Sequence, residues 1–433
     1  MVSLESLNQD CMEMIFAYLS TRDLSSMALV SHTLLESVTP RLYRSLVFHS
    51  EHARKFTKGS SALTASVRRL DIRVVPMYRG AVHTTFLREF LNTVRMAENL
   101  NSFTCTQPII LPPALRAMKD HKYIRHIRIH AKLNQEQALA LQQLNALDSA
   151  TLDASTWNVI DMLPNWMCSM SSSLTALTLY SLPDLNDNVF FSTVTALVNL
   201  VQLHVVNCGK IQHELVIMLS VHTPKLQSLA FTDLSTSELT APCQLLHLRH
   251  LVIDNRIDAA SGLLKASWTF FIKLTREWGC SLTSVVLKPS IRTPIHDSVI
   301  TDLLDVHETT LQHLMLLNCE LSVASMRNIA GQCQRLERLG VSVPYKDIYT
   351  VAEAFSRSYS LETLHDLGDI THNHGTRPIL TKDNVRVLID MIPSLKRVVT
   401  WDRIWTVRAT STGPCSPPLL WNLIRCTGTQ GIR

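Results

Sequence analysis

Apolar residues recur along most of the chain in one arrangement, in which positions 1, 4 and 6 of a short phrase are apolar. Successive phrases start 22 to 34 residues apart, so the arrangement is a repeat. In a strand the side chains alternate between two faces, so positions 4 and 6 point to the same side. One unit cannot bury that side alone, whereas stacked units build a continuous core. The phrases begin at Val67, Leu100, Ile124, Leu147, Leu174, Leu200, Leu226, Leu248, Leu282, Leu311, Leu336, Leu361 and Leu395.

Between the phrases, residues 187–198, 212–222 and 381–392 carry apolar residues at helical spacing, which predicts helices there; several other units are expected to contain only short turns. The phrases resemble leucine-rich repeats. The resemblance implies an α/β fold, a solenoid with a curved parallel sheet and with helices and turns outside, over residues 66–408. Cys208 and Cys319 occupy the ninth position of their units, where the family places Asn or Cys, and we expect structural thiols there.

The first 48 residues have a different pattern, which predicts three short helices. Ser20 and Asp23 have the spacing of a capping box that opens the second helix. Ser31 is a candidate cap for the third helix, and Pro40 is expected to stop or kink that helix near Thr39. The first helix is marked by apolar residues at positions i, i+3, i+4 and i+7, namely Met12, Ile15, Phe16 and Leu19.

This segment resembles the F-box, particularly in its fungal form. The resemblance implies docking onto the adaptor subunit of an SCF-type ligase and, through it, onto a cullin–RING assembly. The family usually has Leu-Pro where this chain has Leu7-Asn8, which removes some pre-organisation of the entering chain. The matching residues are Leu7, Ile15, Phe16, Tyr18, Leu19, Arg22, Asp23, Leu24, Ala28, Val30, Ser31, Pro40, Leu42, Tyr43, Arg44 and Leu46. Carried over by position, the adaptor-facing residues are Leu7, Ile15, Leu19, Leu24, Val30 and Ser31.

Positions 3, 5 and 7 of each phrase point away from the apolar side and are candidates for contact with a protein substrate. Basic and histidine side chains prevail there over a few acids, chiefly Asp71, Asp153 and Asp254. Such a surface suits an acidic or phosphorylated segment, and the alternative is an ordinary solvated strand face. The candidate substrate-binding residues are Arg69, Arg73, His126, Arg128, His130, Arg338 and Arg397.

Composition restricts the classes of function. Only 12 glycines occur, and they do not cluster as phosphate-binding loops require. Ten cysteines form no C-x-x-C pair, and neither His126 with His130 nor His372 with His374 has a third metal ligand at a convincing spacing. We therefore expect no metal, no cofactor and no catalytic residue in this chain.

The formal net charge of +5 is too small, over 433 residues, to indicate nucleic-acid binding. No secretory signal or membrane-spanning run is visible, so the expected location is the cytoplasm, the nucleus or both, without a membrane partner. The expected organisation is an F-box over residues 1–48, a linker over 49–65, about 13 repeat units over 66–408 and a flexible tail over 409–433.

The sequence thus predicts a non-catalytic substrate-recognition subunit of an SCF-type ubiquitin ligase. A second hypothesis is a leucine-rich-repeat scaffold without a ligase role, whose first helices only cap the repeats. An enzyme ranks third, because no catalytic motif is present in the sequence.

Overall fold

The structure is a computed structural model that describes residues 7–48, 64–234, 244–257, 262–368, 380–400 and 403–407, with the backbone of 422–424. The chain divides into two compact units. Residues 1–200 with 208–210 form the first, and residues 201–207 with 211–433 form the second. The predicted linker and tail lie outside the described residues, apart from 64–65 and 422–424.

The first unit begins with the three predicted helices, α1 (Gln9–Ala17), α2 (Thr21–Met27) and α3 (His32–Leu42). The capping box is present: the Asp23 N–H donates to Ser20 Oγ at 3.2 Å, and the Ser20 N–H donates to Asp23 Oδ2 at 3.3 Å. Two reciprocal bonds of this kind satisfy backbone donors that a helix start leaves without partners. The helices pack around a common apolar core of Met12, Phe16, Leu24, Leu34 and Val38.

Of the two effects expected of Pro40, the stop near Thr39 is wrong, because α3 continues to Leu42. Proline removes only its own N–H bond, and it does so in the last turn. The Tyr43 N–H still donates to the Thr39 carbonyl at 3.0 Å, so the helical pattern continues past the proline.

A parallel sheet follows directly. Its first strand, β1 (Ser45–Phe48), pairs with β2 (Arg69–Ile72), although the repeat pattern had placed the first strand at Val67. Only Tyr43 and Arg44 separate α3 from β1. The Arg44 carbonyl accepts the N–H groups of Arg68 and Arg69, both at 2.9 Å.

From β2 onward, the strands of this parallel sheet in the first unit pair in chain order. A short antiparallel hairpin, β3 (Met77–Tyr78) with β4 (Ala81–Val82), lies between the second and third of them. The remaining parallel strands are β5 (Ser102–Cys105), β6 (His126–His130), β7 (Ser149–Asp153) and β8 (Ala176–Tyr180).

The second unit has the same construction. Its parallel strands are β9 (Gln202–Val206), β10 (Ser228–Asp233), β11 (His250–Asn255), β12 (Ser284–Pro289), β14 (His313–Leu316), β16 (Arg338–Val341), β17 (Thr363–Asp366) and β18 (Arg397–Val399). Outside this run, β13 (Thr293–Pro294) pairs with β15 (Cys319–Glu320). The pairing turns antiparallel at the end, through β19 (Ile404–Thr406) and β20 (Asn422–Ile424).

Each of the thirteen predicted phrases contains a strand, so the leucine-rich-repeat fold is confirmed. Parallel register aligns position 4 of successive units, as in Leu229, Leu251, Val285 and Leu314, and all four side chains are buried. Even the degenerate phrase at Leu147 forms a strand, with Ala150 and Leu152 buried.

The three predicted helices are present as Asp187–Thr195, His213–Ser220 and Lys382–Met391. The expectation of short turns in several other units is wrong for most of them, because their apolar residues also fall on one side of a helix and are buried there. These further helices are Thr84–Met96, Leu111–Met118, Gln135–Gln142, Trp157–Ser169, Leu263–Glu277, Asp297–His307, Val323–Gln332 and Ile348–Phe355, with a 3₁₀ turn at Tyr345–Asp347.

Candidate functional site

The three N-terminal helices leave large apolar side chains at their surface. Tyr18 is 90% exposed, Leu29 89% and Val30 71%. Ile15 lies one turn before Tyr18 on the same side of the first helix and is 38% exposed. These side chains are therefore candidates for contact with a protein partner.

The predicted adaptor-facing residues divide into three kinds. Ile15 and Val30 are exposed, and Leu7 and Leu19 pack partly against the helical core. Leu24 requires a correction: it is 4% exposed and belongs to that core, so its side chain is not available to a partner.

Ser31 has a structural role in the chain itself, since its Oγ accepts the Leu34 N–H at 3.2 Å and caps α3. Asn8, which stands where the family has proline, caps α1 by accepting the Cys11 N–H on Oδ1 at 2.8 Å. An Asn cap stabilises a helix by about 1 kcal/mol, which offsets the pre-organisation lost with the proline.

Positions 3, 5 and 7 of the repeat phrases lie on the side of the strands away from the apolar positions. We call this side the open face, and describe it separately for each of the two compact units. In the first unit, two of the candidate arginines there are neutralised. Arg73 Nη2 lies 2.9 Å from Asp71 Oδ2, and Arg128 Nε donates to Asp153 Oδ2 at 3.1 Å. Arg69 and His126 are exposed at the starts of their strands, and His130 is half-buried.

In the second unit, parallel pairing aligns the first residues of β14, β16, β17 and β18 into one row. His313 pairs with Arg338, Arg338 with Thr363, and Thr363 with Arg397. The row brings together Arg338 and Arg397, which the sequence proposed separately. It also adds Thr363, which sequence reasoning missed because a lone threonine at position 3 carries no signal of its own.

The charges of this row affect two histidines on the same strands, His313 in the row and His365 two residues after Thr363. Burial, followed by the positive charges of Arg338, Arg397 and His313, lowers the pKa of His365 to about 4. The pKa of His313 is lowered by burial and by Arg338 and His250, against an opposing effect of Glu337. The pKa of Glu362 is lowered as well, first by its hydrogen bond to Lys396 and then by the charges of Lys396, Arg397 and Arg338. The two arginines therefore act on Glu362 as well as on His365.

A buried polar cluster in the second unit resembles a hydrolytic triad in composition only. Ser267 Oγ donates to Asp233 Oδ2 at 2.5 Å, Asn255 Nδ2 donates to the same oxygen at 2.7 Å, and His213 Nδ1 lies 3.1 Å from Asp233 Oδ1. A catalytic triad needs the histidine between serine and aspartate, whereas here the aspartate is central and all four residues are buried. The cluster stabilises the fold.

The cysteines and histidines of the described residues give no sign of chemistry. Burial raises the pKa of Cys208 to about 11 and that of Cys319 to about 12, so both thiols stay protonated, in agreement with a structural role. In the described ranges no three His, Cys, Asp or Glu side chains are grouped to hold a metal ion, and no helix is long and apolar enough to cross a bilayer. Residues 372–374 lie outside these ranges.

Comparison with known proteins gives one match in sequence: the F-box domain family matches residues 4–41. No curated protein matches the chain. The fungal character of the F-box stays a prediction.

Several solved structures are similar. A chain of the Rad7 and Elc1 complex in yeast is 17% identical, with a TM-score of 0.43, over 88% of this chain and 98% of that one. A chain of the TLR13–ssRNA13 complex is 13% identical, with a TM-score of 0.33, over 77% of this chain and 50% of that one. The LRR ectodomain of the receptor kinase GASSHO1/SCHENGEN3 from Arabidopsis thaliana is 9% identical, with a TM-score of 0.19, over 79% and 51%. These low scores support no statement about function.

Proposed function

We propose that this chain is a non-catalytic substrate-recognition subunit of an SCF-type cullin–RING ubiquitin ligase. The N-terminal helices dock onto the adaptor subunit, and the repeats bind a protein substrate so that other subunits can transfer ubiquitin to it. The observation that supports this best is an F-box match over residues 4–41 coinciding with helices that expose Ile15, Tyr18, Leu29 and Val30. Location in the cytoplasm, the nucleus or both follows from the same proposal.

Docking through this surface rests on apolar burial. A Tyr or Val side chain that becomes fully buried contributes about 1.5–3 kcal/mol, and an aspartate at the same place would have to be buried without a partner. Leu24 is unsuitable as a test, because an aspartate in the core would unfold the helices themselves.

The test is co-expression of the full chain with the adaptor, followed by a sizing column. We expect a one-to-one complex, which the double variant Tyr18→Asp/Val30→Asp reduces at least roughly tenfold in affinity. Tyr359→Asp is the matched control, since Tyr359 is 85% exposed in the repeats and should leave the complex unchanged. Amide exchange over residues 7–48 verifies that the variant helices remain folded.

An unchanged complex with folded helices would show that this surface does not dock the adaptor. Failure of the unaltered chain to form any complex would favour the scaffold hypothesis, in which the helices only cap the repeats.

A further inference from the structure

We propose that the free edge of β1 binds an acidic, extended segment of a partner protein as an added strand. Among the described strands, β1 stands at one end of the parallel run and pairs on one side only, with β2. The site uses none of the side chains that we assign to adaptor docking, so the inference does not depend on the proposed function.

The hydrogen-bonding pattern identifies the backbone groups that an added strand would use. In a parallel ladder, alternate residues of a strand bond to a given neighbour. The Arg69 N–H donates to the Arg44 carbonyl at 2.9 Å, so every second residue from Arg44 onward bonds to β2. The N–H and C=O groups of Ser45 and Val47 therefore point away from β2, and no residue in the described ranges bonds to them. These donors and acceptors alternate as the backbone of an incoming strand requires.

The side chains of β1 do not protect this edge. Natural edge strands are commonly blocked by a charge or a proline, and the strand Ser45–Phe48 contains neither. Leu46 and Phe48 pair in register with the buried Leu70 and Ile72 of β2. An added strand would extend the same two faces of the sheet, so it needs apolar residues at alternate positions, where they cover the half-buried Leu46.

Four exposed arginines lie at or next to the starts of β1 and β2, namely Arg41, Arg44, Arg68 and Arg69. The Arg44 carbonyl accepts the N–H groups of Arg68 and Arg69, both at 2.9 Å, which brings three of the four together. The described part of the chain gives none of the four an ion-pair partner, whereas Arg73, beyond the far end of β2, lies 2.9 Å from Asp71 Oδ2. The charge at this edge therefore favours an acidic segment.

Other occupants satisfy fewer of these groups. A nucleic acid or an anionic lipid would neutralise the arginines but has no alternating N–H and C=O groups for Ser45 and Val47. A second copy of this chain would offer such a backbone, but it brings the same arginines, so charge opposes self-pairing. An acidic polypeptide in extended conformation satisfies both the backbone groups and the arginines.

The experiment measures the binding of labelled peptides to the full chain by fluorescence anisotropy. The probe is a peptide of alternating valine and glutamate, blocked at both ends, and the matched probe has lysine in place of each glutamate. We expect the glutamate peptide to bind at least roughly tenfold more tightly than the lysine peptide. The glutamate peptide with methylated backbone nitrogens keeps its side chains but loses its donors, and it should bind at least roughly tenfold more weakly than the unmethylated one.

Two substitutions at Val47 test the backbone pairing. Val47→Pro removes an N–H group that points away from β2 and leaves the ladder with β2 intact, because proline is tolerated where the N–H of an edge strand faces outward. It should weaken binding of the glutamate peptide at least roughly tenfold, whereas Val47→Ala keeps the N–H and should change binding less than about twofold. Unchanged amide exchange over residues 69–72 verifies that β1 still pairs with β2.

Charge reversal tests the arginines. Arg44→Glu/Arg69→Glu should reverse the preference, so that the lysine peptide binds more tightly than the glutamate peptide. Arg335→Glu/Arg357→Glu, two exposed arginines of the second unit, is the matched control for net charge and should keep the original preference.

Equal binding of the glutamate and lysine peptides would overturn the proposal. So would equal binding of the methylated peptide, or binding that Val47→Pro leaves unchanged while β2 stays protected. If Val47→Pro perturbs β2 itself, the methylated peptide decides. A mass on a sizing column that falls in the Val47→Pro chain would assign the edge to a second copy instead, and displacement of the peptide by an oligonucleotide at equal concentration would assign it to a nucleic acid.

Discussion

The two units have the same repeat architecture but place their aspartates and histidines differently. In the first unit, Asp71 and Asp153 lie on the open face and neutralise Arg73 and Arg128. In the second, Asp254 neutralises Arg256 in the same way, but Asp233 lies in a buried polar cluster, and among the described residues neither Arg338 nor Arg397 has an ion-pair partner.

This difference shows that an outward-facing arginine is not by itself a binding group. Arg128 and Arg338 both lie on an open face, and the carboxylate on the neighbouring strand decides which of them is available. The histidines with a lowered pKa are also divided unequally between the two units. A lowered pKa is found for His121 in the described part of the first unit, and for His204, His250, His307, His313 and His365 in that of the second.

The largest expected effect separates the two kinds of aspartate. Asp233→Ala should lower the free energy of unfolding of the second unit by about 3–5 kcal/mol, because His213, Asn255 and Ser267 lose the carboxylate they surround. Asp153→Ala removes only a surface partner and should cost at most about 1 kcal/mol. Urea unfolding with amide exchange in each unit measures both. Similar losses of unfolding free energy in the two variants would show that the buried and the surface aspartate contribute equally to stability.

A smaller effect concerns pH. Burial, and then the charge of Arg276, lowers the pKa of His307 to about 4, and its Nε2 lies 2.8 Å from Thr275 Oγ1. The unfolded histidine takes up a proton below about pH 6.5, whereas the folded one does so only near 4. Stability is therefore complete above pH 6.5 and falls as the pH approaches 4, with a loss of about 2 kcal/mol at pH 5 from this residue.

Comparing urea midpoints at pH 7 and pH 5 checks this. His307→Gln should reduce the difference between the two pH values by that amount, while His126→Gln, an exposed histidine of the first unit, should not change it. An unchanged pH dependence in the His307 variant would show that the acid sensitivity arises elsewhere.

The smallest expected effect is a gain of binding on the open face of the first unit when an aspartate there is replaced. Asp153→Asn leaves Arg128 without its carboxylate, so the first unit should gain affinity for an acidic peptide by roughly two- to fivefold, the range of a surface ion pair. Titrating the full chain and the Asp153→Asn variant with the same glutamate-rich peptide measures the gain. If the variant gained no affinity, pairing with Asp153 would not be what keeps Arg128 from binding the peptide.

Most of the fold could be predicted because the repeat depends on one apolar period. The first strand was missed because its residues, Leu46 and Phe48, belong to the F-box resemblance and precede the repeat by some twenty positions. Burial of Leu24 was missed for a related reason: on a short amphipathic helix, sequence shows the apolar stripe but not whether a partner or the helical core covers it.

The site was predictable in part. Outward positions follow from the strand alternation, and the arginines were found that way. Which of them are neutralised depends on contacts between strands, as in Arg128 with Asp153, and those require the register. The Asp233 cluster joins residues from four separate helices and strands, so no local sequence pattern predicts it.

The junction between α3 and β1 has a further consequence. Tyr43 is hydrogen-bonded to the helix and Arg44 to the next strand, so the residues that join the helices to the sheet are held at both ends. Residues 49–63 lie in sequence between two paired strands and so do not separate the helices from the sheet. A flexible tether would deliver a captured segment at an average concentration that declines with tether length. Under the proposed function, a hydrogen-bonded junction would instead hold the helices and the adjoining strands in a fixed geometry, so the lysines that receive ubiquitin would be selected by their distance and direction from the bound segment.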